Sequence, residues 1–190
     1  MSGNPSTLRL RESDRASLLA HFLALDAEDR RLRFGSAISD AGIAAYVQRI
    51  DFEHDGLFTV HDDNLAMLAV VHVAVDGNAA EMGLSVLHGW RGQGLGDALF
   101  QRAVTFLRNR SVGEASVHCL AENGAMMHLA RKNGMRVVLT GTEGAARLAL
   151  DPPTAQSFIG EWLSDQQGLA IRTLRENART TQRLMGLARG

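Results

Sequence analysis

The spacing of apolar positions changes several times along the chain, and each change marks a new element. Thr7 to Arg11 alternates Leu8 and Leu10 with polar neighbours, the period of a short strand. Ser13 or Asp14 then offers a helix cap ahead of Leu18, Leu19, Phe22 and Leu23, which recur at helical spacing. Asp26 to Phe34 is dominated by charge and predicts only a broken helical turn. Ser39 or Asp40 caps a second helix that presents Ile43, Tyr46, Val47 and Ile50 on one face. Three β-rich runs follow at 56–61, 64–75 and 78–87, with turns at Asp62-Asp63 and Asp76-Gly77-Asn78, so an antiparallel meander is expected.

Beyond residue 90 the order changes. A glycine loop at Arg91 to Gly96 leads into a helix carrying Leu99, Val104 and Leu107, and a strand follows at Ala115 to Leu120, which together make a β-loop-α-β crossover. A short helix over 123–132 ends at Asn133-Gly134, a good left-handed cap, and two more strands are predicted at 135–140 and 145–150. The expected fold class is therefore α+β: a mixed, mainly antiparallel twisted sheet flanked by helices. Asp151-Pro152-Pro153 closes a domain spanning 1–150, because proline removes a ladder donor and restricts the residue before it. A helical extension occupies 151–190. In it Phe158, Ile159, Trp162 and Leu163 form an apolar patch before Gly168. From Ile171 onward Leu174, Ala178, Thr181 and Met185 recur at helical spacing beside a stripe of Arg172, Arg175, Arg179 and Arg183. Such a tail packs on its own domain or on a second subunit, and a homodimer is one of the two expectations.

Composition narrows the function classes. With 20 basic and 21 acidic residues the chain carries a formal charge of -1, which gives no overall field to collect nucleic acid or an anionic membrane. One cysteine, Cys119, cannot form an internal disulfide, and the first residues lack the basic and apolar blocks of a signal peptide. No apolar run approaches the roughly 20 residues a membrane span needs. A cytoplasmic setting is the simplest expectation.

The candidate chemistry lies in Arg91-Gly92-Gln93-Gly94-Leu95-Gly96. A glycine-rich turn that follows a strand and opens a helix aims free amides and the positive end of a helix dipole at one small volume, which suits a pyrophosphate. A dinucleotide fingerprint would need glycine where Asp97 stands and a parallel βαβ unit upstream. A P-loop would need Gly-Lys-Ser/Thr, and Lys132, the one lysine, is far away. The segment instead resembles the GNAT acyltransferase motif Gln/Arg-x-x-Gly-x-Gly/Ala, matched by Arg91, Gly94 and Gly96. A second segment, Asn123, Met126, Leu129, Lys132, Gly134 and Met135, is similar to the family's Asn-x-x-Ala-x-x-Leu-Tyr-x-Lys-x-Gly-Phe. The two motifs stand in the family's order, and the resemblance, closest to bacterial protein-acetyltransferase-like domains, covers roughly 7–150.

The resemblance implies acetyl-CoA as cosubstrate, an amine acceptor, and no metal. It implies that Leu84, Ser85 and Val86 pair with the pantetheine arm like an added strand, that the amides of Gly92, Gln93, Gly94, Leu95, Gly96 and Asp97 hold the pyrophosphate, and that the Asn123 side chain meets the pantetheine. Asp97 is expected to use its backbone. Direct attack by an amine requires a base. Glu81, ten residues before Arg91, occupies the strand position where many family members carry a catalytic glutamate, with an exposed strand carboxylate as the plain alternative. His118 is the second candidate and His88 the third. The family's leaving-group tyrosine is replaced by Ala130, and the one tyrosine, Tyr46, lies far upstream. That departure leaves open a non-catalytic acyl-CoA-binding regulator, and the tail leaves open an interaction protein acting through the C-terminal helix. Arg30, Arg31 and Arg33 either form a solvated charge run or meet an acidic acceptor.

Overall fold

The computed structural model describes residues 5–187; the side chains of 175 and 179–187, which include the tail positions Arg175, Arg179, Thr181, Arg183 and Met185, lie outside the described set. Seven strands form one sheet in the order β1-β2-β3-β4-β5-β7-β6. The strands are β1 Leu8–Arg9, β2 Gly56–His61, β3 Met67–Asp76, β4 Ala79–Val86, β5 Glu114–Leu120, β6 Arg136–Thr140 and β7 Glu143–Ala149. All neighbours are antiparallel except β4 and β5. That parallel pair is joined through α4, Leu95–Arg108, so the expected meander and crossover are both present.

Helices cover both faces, and the strand patterns follow from that. β3 sits in the middle and is buried from Met67 through Val73, a continuous apolar run because neither face meets water. On one face Phe58, Val71, Leu99, Phe100 and Phe106 pack beneath α4 together with Met126 and Met127 of α5, Gly124–Lys132. On the other, Leu18 and Phe22 of α1, Arg15–Leu23, meet Ile43 and Val47 of α3, Asp40–Arg49, above Leu57 and Val70.

Two local expectations need correction. The charged stretch before residue 35 is a regular helix, α2, Ala27–Phe34. Asp26 caps it, accepting from the amide of Asp29 at 2.8 Å, and Gly35 ends it at φ 76°. Its apolar content is too low for a periodicity argument, and the two caps fix it instead. Asp14 begins α1, but its side chain gives no cap bond; it accepts from the Arg11 amide and pairs with Arg172 at 2.8 Å. The tail runs through Gly168 without a break. Ala155–Leu187 is one helix, α6, and a Cβ on Gly168 would stand 2.7 Å from the Thr7 carbonyl oxygen. The glycine lets α6 lie against β1.

The extension is fastened to the sheet domain by polar contacts. Arg102, buried on α4 with its guanidinium 4.5 Å from the Phe58 ring centroid, pairs with Asp165, and Arg110 reaches Glu161 at 3.2 Å. Phe158, Ile159, Trp162 and Leu163 remain exposed on the same helix. No helix among the described residues is long and apolar enough to cross a membrane.

Candidate active site

The crossover strand pair creates the site. β4 and β5 are in register only at Ala79, Ala80 and Glu81, opposite Glu114, Ala115 and Ser116. β3 holds β4 through Val86, while β5 turns to pair with β7 along its whole length. Past Glu81 the two parallel strands therefore separate, leaving one edge of 82–86 without a partner strand. An unpaired strand edge offers backbone donors and acceptors to any extended ligand.

Beyond the end of β4 the chain makes a single 3-10 turn, His88–Trp90, and enters the glycine loop. Gly92 and Gly94 take φ values of 74° and 80°, the left-handed region that side chains rarely adopt, so glycine is required there by conformation. Gly96 serves differently: it is inside α4, and a Cβ would sit 3.6 Å from Leu129 and 3.7 Å from Leu84. Gly94 opens α4 without any side-chain cap. The first helical bond runs from the Ala98 amide to the Gly94 carbonyl. Among the described residues, no acceptor takes the amides of Gly92, Gln93, Gly94, Leu95, Gly96 or Asp97. These six donors stand at the positive end of the α4 dipole.

An open cleft of about 470 Å³ joins this loop to the free edge of β4. Leu84, Ser85, Val86, Arg91, Gly92, Gly94, Leu95, Gly96, Asp97 and Asn123 all line it, whereas Gln93 faces a neighbouring groove. Several of these side chains are already engaged. Ser85 is buried on the other sheet face, its hydroxyl donating to His21 Nε2 at 2.8 Å while His21 Nδ1 donates to the Met67 carbonyl at 3.0 Å. The Asn123 oxygen caps α5, accepting from the Met126 amide at 3.0 Å, and its nitrogen donates to the Leu32 carbonyl at 3.4 Å. Lys132 Nζ and Asn133 Nδ2 each donate to the Asp97 carboxylate at 3.0 Å, and these bonds, the Asn133 one foremost, hold its pKa below the ordinary range. Arg91 pairs with the buried carboxylate of Asp29 and reaches back to the Val86 carbonyl. Asp26, Asp29 and His88 bring one ligand-type atom apiece within 4.8 Å of one another, with Asp29 the partner of Arg91.

Glu81 and His118 come together at the fork, where His118 Nδ1 stands 3.6 Å from Glu81 Oε1. Both are open to water, with side-chain exposures of 61% and 55%, and neither lines the cleft proper. Ala130 is fully buried in the core beneath α4, so its side chain does not border the cleft. Cys119 is buried as well, and desolvation pushes its thiol pKa up, which disfavours a thiolate nucleophile.

Sequence reasoning offered Arg33 as an acceptor contact and missed the rest of the wall opposite the loop. Leu25, Asp29, Leu32 and Arg33 of the α2 region form it, and His128 completes the α5 side. The positions Ala125, His128, Leu129 and Lys132 carry a helical i, i+3, i+4, i+7 signal that could have found the second group. Tyr46 was equally hidden: remote in sequence, it accepts a hydrogen bond from Arg33 at 2.9 Å and donates to His72 Nδ1 at 2.6 Å.

A mixed sheet forked at its one parallel pair, with a donor-lined loop at the mouth of the fork, defines an α+β acyltransferase fold. The sequence matches the model of the Acetyltransferase (GNAT) family over 24–135, more than half the chain. The chain belongs to the GNAT acetyltransferase family and is an acyltransferase. A search of curated protein sequences finds no match. Among solved structures it is similar to the GNAT domain of S. lividans PAT, with a TM-score of 0.65 and 17% identity over 76% of this chain and 89% of that one. It is also similar to the ribosomal-protein-S18-alanine N-acetyltransferase of Escherichia coli, with a TM-score of 0.56 and 20% identity over 78% and 94%. PaiA N-acetyltransferase of Thermoplasma acidophilum, solved in complex with coenzyme A, gives a TM-score of 0.58 and 14% identity over 78% and 99%.

Proposed function

We propose that this protein is an N-acetyltransferase that passes an acetyl group from acetyl-CoA to a primary amine by direct attack. Residues 1–150 act as the catalytic unit and 151–190 as a helical extension. The observation that carries the reading is the set of six acceptor-free amides at 92–97, set beside the unpaired edge of β4. A diphosphate satisfies those donors at the dipole end of α4, and an extended pantetheine arm pairs with Leu84, Ser85 and Val86 where the β4–β5 ladder would have continued. Asn123, already a cap, borders the arm as a wall. The thioester then lies toward the fork, near Glu81.

The acceptor nitrogen attacks the thioester carbonyl carbon, the carbon–sulfur bond breaks, and coenzyme A leaves as the thiolate and is protonated by water. Glu81 takes the proton lost by the amine, and His118, 3.6 Å away, hands it to solvent. No metal enters. The setting is cytoplasmic, in keeping with one unpaired cysteine, and the exposed apolar patch of α6 is the face for a homodimer. Replacing Glu81 by Gln is expected to lower kcat by roughly 10²- to 10⁴-fold while leaving acetyl-CoA affinity unchanged, measured by thiol release and calorimetry. Unchanged turnover at optimal pH would remove Glu81 from the mechanism.

A further inference from the structure

Arg33 is chemically unlike the other arginines of its helix. Arg30 pairs with Asp40 and donates to two carbonyls, and Arg31 pairs with Glu28 and Glu122. Across the cleft, Arg91 pairs with Asp29. Arg33 borders the same cleft, yet among the described residues it has no carboxylate partner. Among the described residues its single hydrogen bond goes from Nη2 to the Tyr46 hydroxyl, and its Nε is buried with no partner. A half-buried cation normally has a counter-charge, because desolvation penalises it otherwise.

The surroundings hold this guanidinium in one place. It lies among the rings of Phe22, Phe34 and Tyr46, each 5.0–5.6 Å from its central carbon. Tyr46 is anchored in turn by His72 at 2.6 Å, and His72 Nε2 donates to Asp55 at 2.9 Å. On the strand side it rests flat against Gly83, where an added Cβ would come within 2.4 Å of Cζ. That close approach explains a glycine in the interior of β4. Gly83 and Glu81 share a sheet face, two residues and about 7 Å apart, whereas the diphosphate loop begins past the far end of β4. A fixed positive group thus stands beside the proposed base, on the acceptor side.

We infer that Arg33 is a specificity-determining residue that binds a carboxylate carried by the acceptor, so that the acceptors are amino acids or short acidic peptides bearing both an amine and a carboxylate. The inference rests on the acetyltransfer reading above. Glu81 and Arg33 together complement such a dipolar molecule, the carboxylate of Glu81 facing the amine and the guanidinium facing the acid. Planar, pre-oriented guanidinium suits a carboxylate better than a mobile ammonium would.

The test uses the full chain and matched acceptors: glycine, β-alanine and glutamate, each against its carboxamide, with rates referred to the unprotonated amine. The wild-type protein should favour the carboxylate members by tenfold or more in kcat/KM, the size of effect expected from one charge-assisted hydrogen bond. In Arg33→Gln that ratio should collapse toward one, and in Arg33→Lys part of it should survive. Gly83→Ala keeps the charge but displaces the guanidinium, so it should lower the ratio even if Arg33→Gln folds poorly. A wild-type ratio near one, or a ratio unmoved by these changes, overturns the inference. Calorimetric binding of the N-acetylated products to the coenzyme-A-loaded protein gives a readout that needs no turnover. Arg33-dependent preference for the acids there, without acetyl transfer, would keep this inference and sink the catalytic reading. Absence of preference in both experiments would sink the inference itself.

Discussion

Two helices begin at the margin of the same cleft and treat their amino ends in opposite ways. α5 is closed: Asn123 occupies the cap position, its oxygen accepting from Met126 at 3.0 Å. α2, which forms the facing wall, is closed likewise by Asp26. α4 begins at Gly94, a residue with no side chain to cap with, held at φ 80°, and leaves its first amides without acceptors. A polar cap is worth about 1 kcal/mol to a helix, so α4 forgoes stability that its neighbours keep. The difference is the one that the proposed diphosphate site requires, a helix end left open to an anion from outside the chain.

The largest expected effect comes from making α4 resemble α2. Gly94→Asp places a carboxylate where the diphosphate is proposed to sit, and a charge at about 4 Å in a site of intermediate polarity opposes it by ~4 kcal/mol. Acetyl-CoA affinity should fall on the order of a thousandfold by calorimetry, and the left-handed backbone at position 94 should cost the free protein about 1–2 kcal/mol, read as a lower thermal midpoint. Retained affinity would break the contrast between the two helix starts.

A second test loosens the closed face of β4. His21, bonded to Ser85 and to the Met67 carbonyl, is pushed down to about 4 by burial, against an ordinary value of 6.5. Between those values the unfolded chain binds a proton that the folded one refuses. Stability is therefore complete above pH 6.5 and declines as pH falls toward 4, by roughly 3 kcal/mol. Burial lowers the His72 pKa too, which acts in the same direction. Urea midpoints at pH 7, 5.5 and 4.5 should trace the fall, and His21→Gln should flatten it.

The smallest effect sharpens the comparison from the capped side. Asn123→Ala removes the cap of α5 and should cost about 1 kcal/mol, lowering the melting temperature by about 2–4 °C for a chain of this size. Acetyl-CoA binding should weaken far less than in Gly94→Asp, because the Asn123 oxygen is spent on its own helix. An equal loss in both variants would mean that Asn123 contributes to binding as much as the open helix end does.

The sequence by itself determined the order of elements, the meander, the crossover and the loop. Those features depend on short-range signals: alternation in 7–11, the β-rich run at 56–61, glycines at 92, 94 and 96, and the Asn133-Gly134 stop. It also marked the pairing of two motifs that implied the family. Tertiary structure decided where β4 and β5 part, because the fork depends on β5 pairing with β7 rather than on any residue of β4. It decided that α2 is a wall of the cleft, that Ala130 faces the core, and that Tyr46 lies under Arg33. None of these has a local signal. Each is a contact between segments distant in the chain, fixed by which apolar faces the two-sided sheet must bury, and periodicity along one segment carries no information about its partner.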